Sequence, residues 1–179
     1  MEQTRSEETL SPFEIELQPA NEDDLVRVQG ILSEAARWMR DERRVLNQWP
    51  ERFPDQLILD VIRAKEMYLV YSHGETVGTV RVSDSDPTVW GDDPAAAVYV
   101  HSLTVVRSHK GEGLGAKILR RVQLDAAARG RPLLRLDCLS TNQDLRHYYE
   151  SLGFSHRGDA IQRNHAQQWV TSRYERSYQ

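Results

Sequence analysis

Residues 97–128 read AVYVHSLTVVRSHKGEGLGAKILRRVQLDAAA, and the change of period inside this stretch decides the fold. Residues 97–106 are apolar at both parities except at His101, Ser102 and Thr104, the pattern of a strand covered on both faces. Arg107, Ser108, His109 and Lys110 follow. Gly111, Gly113 and Gly115 then open a helix whose apolar positions Leu114, Ile118, Leu119, Val122 and Ala126 recur at the 3.6-residue period, and Gly130 and Pro132 end it. The first N–H groups of such a helix have no internal partners and its dipole adds partial positive charge, so an anion is favoured there; glycines let it come close.

Downstream, Leu133, Leu134, Leu136 and Cys138 form a second apolar strand, and Asn142 starts a helix carrying Leu145, Tyr148, Tyr149 and Leu152 on one stripe. Gly153 stops that helix and Phe154 returns to the core. The tail of the chain is weakly patterned, with a late strand expected over residues 168–174 after a turn at Arg163, Asn164 and His165. Upstream, Met67 to Tyr71 and Thr76 to Val82 read as a hairpin turning at His73-Gly74-Glu75. Ser83 to Pro94 is a loop with Asp84, Asp86, Asp92 and Asp93 around Trp90. Phe13, Ile15 and Leu17 alternate as a strand that Pro19 stops, and Asn21 to Asp24 cap a helix running from Leu25 towards Met39. Trp38, Trp49 and Phe53 punctuate an aperiodic break before a short helix at residues 57–62.

At 179 residues one domain is expected over residues 12–179, behind a flexible polar tail over 1–11. A net charge of -4 gives no basic excess for nucleic acid. One cysteine excludes an internal disulfide, and there is no apolar run of the length of a signal peptide or membrane span, so a cytoplasmic protein is the default. The six His show no metal-ligand spacing, and no metal is expected.

Gly111, Gly113 and Ala116 satisfy the loose dinucleotide pattern GxGxxG/A, with Asp137 at the end of the next strand as its acidic residue. Against a nicotinamide-dependent oxidoreductase, four polar residues separate strand from glycines, and too little chain follows Asp137 for a doubly wound sheet. Lys110, Gly111, Glu112, Gly113, Leu114 and Gly115 instead resemble the pyrophosphate motif of the GCN5-related N-acetyltransferases, Arg/Gln-x-x-Gly-x-Gly/Ala, with Lys110 in place of Arg or Gln. Asn142, Tyr149, Glu150, Gly153 and Phe154 resemble the family's second block, NxxAxxxYExxGF, with Leu145 where Ala is common. The two blocks cover about residues 97–154.

The resemblance implies an α/β domain, a mixed and mostly antiparallel sheet of six to seven strands flanked by about four helices. It implies acetyl transfer from acetyl-CoA directly to an amine acceptor within a ternary complex. Residues 110–116, through Ala116, would hold the pyrophosphate, Leu103, Thr104 and Val105 the thioester and pantetheine, and Asn142 the second block. Tyr149 would protonate the leaving thiolate, where periodicity alone reads a packed aromatic. The family's strand base falls at His101, whose imidazole is suited to proton transfer near pH 7, against the reading of a satisfied core histidine. Trp38, Trp49, Asp84, Trp90 and His101 are the candidate acceptor contacts, favouring a small cationic amine over a nucleic acid; solvated turn chemistry is the other reading of the acidic loop. A protein or peptide acceptor, a non-catalytic acyl-CoA sensor and a homodimer stay open. Cys138 reads as a small buried hydrophobe rather than an acetyl carrier.

Overall fold

The computed structural model describes residues 15–41, 49–163 and 167–178. In chain order the strands are β1 (Glu16–Pro19), β2 (Met67–Ser72), β3 (Glu75–Ser83), β4 (Ala97–Val105), β5 (Leu133–Leu139), β6 (Ser155–Arg163) and β7 (Gln168–Ser177). The helices are α1 (Leu25–Asp41), α2 (Asp55–Arg63), the single turn α3 (Pro87–Trp90), α4 (Leu114–Ala128) and α5 (Gln143–Ser151). One sheet has the order β1-β2-β3-β4-β5-β7-β6, antiparallel throughout except between β4 and β5.

The strand parities divide the core between the two faces. Met67 and Leu69 of β2 pack with Val28, Ile31 and Leu32 of α1 and Ile58 and Ile62 of α2. Val70, Val80, Val98, Leu134 and Leu136 pack on the opposite face with Leu114, Ile118, Leu119 and Val122 of α4 and Tyr149 of α5. At the β2–β3 hairpin His73 and Gly74 both have positive φ, 49° and 81°, as a two-residue primed turn requires. Asn142 caps α5 through its side chain, which accepts from the Leu145 N–H at 3.1 Å.

The expected elements of residues 97–154 form, and β7 runs further than expected. Two elements escape the sequence pattern. β6 is a polar edge strand whose residues are mostly exposed, so no alternation marks it. The turn α3 sits inside the acidic loop, capped by Asp86 and started by Pro87. The expected tail over residues 1–11, Phe13, residues 42–48 of the aromatic break, and Asn164 and His165 lie outside the described residues.

Two local features shape the centre of the sheet. Arg81 pairs with His101 and Thr79 with Thr104, so Val80 alone opposes Ser102 and Leu103, and Ser102 takes a left-handed φ of 50°. This is a bulge in β4. Opposite Val105, Gly78 leaves room for the backbone: a Cβ there would lie 2.2 Å from the Thr104 carbonyl oxygen. The second feature is that β4 and β5 pair only over Ala97–Leu133, Val98–Leu134 and Tyr99–Arg135, after which no partners remain between them. Gly78→Ala is therefore expected to lower unfolding stability by about 1–3 kcal/mol through backbone displacement. Denaturant unfolding checks this, and an unchanged midpoint would remove the close approach as a constraint.

Candidate active site

Beyond Tyr99 and Arg135 the strands β4 and β5 part, and the gap between them opens into a cavity of about 940 Å³. Val100 to Val106 line one side and Leu136 to Leu139 the other. α4 begins at the mouth. Its N-cap Gly113 is left-handed, φ 69°, and has no side-chain cap, so the first N–H groups of the helix face the cavity end without a protein acceptor from a capping side chain. Gly111 is also left-handed, φ 89°, and a Cβ at either glycine would meet open space. Gly115 is small for a different reason: a Cβ there would lie 2.8 Å from the Tyr148 hydroxyl, so α5 rests against the first turn of α4.

At the other end stands His101. The Ser83 hydroxyl donates to the Ser85 carbonyl at 2.9 Å and contacts His101 Nε2 at 3.0 Å. One hydroxyl has one proton, so Nε2–H of His101 donates to Ser83 and the imidazole lone pair lies on Nδ1. Burial holds the imidazole below its ordinary range, opposed by the negative charge of Asp86; Arg81 lowers it further and Glu66 raises it. His101, Asp86 and Asp137 each bring one polar side-chain atom within 4.8 Å of the others, from β4, the turn before α3 and β5. Burial, reinforced by Asp86, pushes the Asp137 carboxyl up to about 6.

Tyr149 is 8 % exposed and packs its ring on Tyr148, Phe154 and Tyr174 at centroid separations of 5.8, 5.9 and 5.8 Å. Burial raises its phenol well above the ordinary value, with smaller contributions from Cys138, Asp137 and Tyr148. Both Tyr148 and Tyr149 line the cavity. Cys138 is buried beside them, and burial pushes its thiol up to about 12.

Most of the residues singled out in the sequence meet here. Leu103, Thr104, Val105, Lys110, Gly111, Gly113, Leu114, Gly115, Asn142 and Tyr149 line the cavity together with His101, Trp38 and Trp49. Trp38 lies under the Arg107 guanidinium, 3.9 Å from its ring centre, and Trp49 stands edge-on to Phe53. Glu112 and Ala116 are not among the lining residues; the Glu112 carboxylate contacts His109 Nδ1 at 3.1 Å. Two expected acceptor contacts stand elsewhere. Asp84 pairs with Arg129 and Arg131, each at 3.7 Å, at the far end of α4. Trp90 is buried against Tyr99 and under Arg135, because Arg135 is held by Asp93, Glu175 and the Tyr99 hydroxyl at the last paired rung of β4 and β5. It is Asp86 of that loop that reaches His101, and Asp137, read in sequence only as a dinucleotide residue, that enters the cavity.

Residues 31–154 match the model of the acetyltransferase (GNAT) family. The chain belongs to that family. It is 31% identical over 148 residues to the uncharacterized N-acetyltransferase YesJ of Bacillus subtilis, covering 78% of this chain and 81% of that one. Its fold is similar to a GNAT-family acetyltransferase from Listeria monocytogenes, with a TM-score of 0.73 at 21% identity over 91% of this chain and 94% of that one. It is also similar to Salmonella typhimurium yncA, solved with its cofactor acetyl-CoA, with a TM-score of 0.64 at 16% identity over 92% and 94% of the two chains. This GNAT protein is thus an acetyl-CoA-dependent N-acetyltransferase. The oxidoreductase reading of Gly111, Gly113 and Ala116 falls with the topology, since β4–β5 is the one parallel pair in an otherwise antiparallel sheet.

The residues present fit the cofactor. An uncapped helix N-terminus, two left-handed glycines without side chains and Lys110 suit a diphosphate, and the gap between β4 and β5 suits an extended arm. With its thiol pushed up to about 12, Cys138 is expected to resist iodoacetamide at pH 8 in the folded enzyme, and Cys138→Ala to retain turnover. Mass spectrometry and thiol-release kinetics check both; loss of turnover would bring a covalent carrier forward.

Proposed function

We propose that the enzyme moves the acetyl group of acetyl-CoA directly to a small cationic amine, with both substrates bound together. The observation that carries this reading is a single cavity with an anion-binding helix end at one side and an acidic, proton-accepting end at the other. A direct transfer needs both in one space, and the high proton affinity of Cys138 speaks against an acetyl-cysteine relay.

Acetyl-CoA supplies an activated thioester carbon. Gly111, Gly113, Leu114 and Gly115 would hold its diphosphate through backbone N–H groups, with Lys110 beside them. Leu103, where the bulge frees the main chain, would offer a backbone N–H to the thioester oxygen, and Val105 would hold the extended arm through its main chain. At the His101 end the acceptor's ammonium loses a proton, because without a free lone pair it cannot attack. Trp38 and Trp49 form the apolar wall against which the rest of the amine lies, with Arg107 fixing Trp38. Tyr149, kept protonated at all working pH by burial, gives its proton to the departing thiolate.

Saturating acetyl-CoA is expected to raise the melting temperature by roughly 5–10 °C, since a ligand at a hundred times its Kd adds about 2.7 kcal/mol. NADH is expected to leave it unchanged. In a thiol-release assay over an amine panel, Tyr149→Phe should lower kcat by about a hundredfold with acetyl-CoA affinity retained. A cofactor that binds yet releases no thiol with any amine would convert the reading into that of an acyl-CoA sensor.

A further inference from the structure

Three polar side chains from distant segments converge at the acceptor end, and only one of them faces the cavity as a carboxylate. Asp137 lines the cavity, and among the described residues no hydrogen-bond donor reaches its side chain. Asp86 uses Oδ1 to cap α3 through the Val89 N–H at 3.2 Å, while its Oδ2 is buried without a partner. His101 spends its Nε2–H on Ser83. The free Oδ2 of Asp86 and the carboxyl of Asp137, beside an imidazole with a lone pair on Nδ1, leave a cationic donor as the fitting partner.

We propose that Asp137 is the catalytic base that accepts the ammonium proton of the bound amine, with Asp86 and His101 as its positioning partners. The proposal rests on the acetyl-transfer reading above and deepens it by naming the base and the charge of the acceptor. The balance is as follows: an N–H bond of the ammonium breaks and an O–H bond forms on Asp137, which later loses that proton to water. The freed nitrogen lone pair attacks the acetyl carbon, the C–S bond breaks, and the second N–H proton leaves with the thiol by way of Tyr149. His101 serves less well as the acceptor, because burial weakens its hold on a proton while burial strengthens that of Asp137. Asp86 before α3 is the neighbouring charge that raises Asp137, His101 on β4 lies beside it, and Asp137 in turn raises Cys138 on β5 and Tyr149 on α5. Arg81 near His101 is paired with Glu66 at 2.8 Å, and Arg173, opposite Asp137 on β7, is turned over the Trp90 ring.

The test is a pH profile of kcat/KM with an aliphatic amine, whose own ionisation near ~10.4 lies outside the window. For the wild type an inflection near 6 is expected, with activity rising as pH rises through it. Asp86→Asn keeps the helix cap but removes the like charge, so the inflection moves to lower pH. Asp137→Asn loses about 10²–10⁴-fold in kcat/KM with acetyl-CoA Kd unchanged, and Asp137→Glu restores part of it. A buried carboxyl raised above its unfolded value opposes folding once pH exceeds both, so Asp137→Asn melts at or above wild type at pH 8, which a merely structural role would not produce. Wild-type kcat/KM in Asp137→Asn, an inflection unmoved in Asp86→Asn, or turnover lost to chelator and restored by a divalent ion would each overturn the proposal. Failure of the acetyl-transfer reading looks different: the wild type itself releases no thiol with any amine, and the proposal falls with it.

Discussion

Everything at the site depends on two parallel strands that pair for three rungs and then separate. Unsatisfied backbone groups are costly in a core, so strands part only where something compels them. Here two devices act at successive positions. Arg135, ion-paired to Asp93 and Glu175 and bonded to the Tyr99 hydroxyl, holds the closed end. Directly beyond it the bulge at Ser102, accommodated by the missing side chain of Gly78, turns β4 away from β5. The opening exposes strand backbone to a cavity, where the amides of an extended ligand can take the place of a neighbouring strand.

The two ends of that cavity carry opposite electrostatic character, and each has its own physical origin. At α4 the positive end comes from main-chain N–H groups and needs no side chain, which is why glycines suffice there. At His101 the negative character comes from the half-buried carboxylates of Asp86 and Asp137. A buried acceptor oxygen without a partner costs about 1–3 kcal/mol, so Asp86 Oδ2 weakens the fold. Strain of this kind concentrates where a ligand relieves it.

Tyr148 and Tyr149 show how adjacent residues divide between roles. Tyr149 packs into the aromatic cluster with Phe154 and Tyr174, while Tyr148 sets its hydroxyl against Gly115. The three glycines of the turn are thus small for two separate reasons: Gly111 and Gly113 for their left-handed backbone, and Gly115 for the space that Tyr148 fills.

By itself the sequence determined the family, the cofactor and most of the fold, because those depend on local signals: the period change at residues 97–128, the glycine turn, and the capped helix from Asn142 to Gly153. β6 was not legible, since an exposed edge strand carries no apolar alternation. Of the acceptor contacts expected from the sequence, His101, Trp38 and Trp49 line the cavity. Asp84 and Trp90 share a loop with Asp86, and nothing in local composition distinguishes the aspartate that stands beside His101 from the one that pairs with Arg129 and Arg131. Only the tertiary structure brings Asp86, His101 and Asp137 together, because their proximity comes from neighbouring strands and a loop folded across them, and chain spacing does not encode distance between strands.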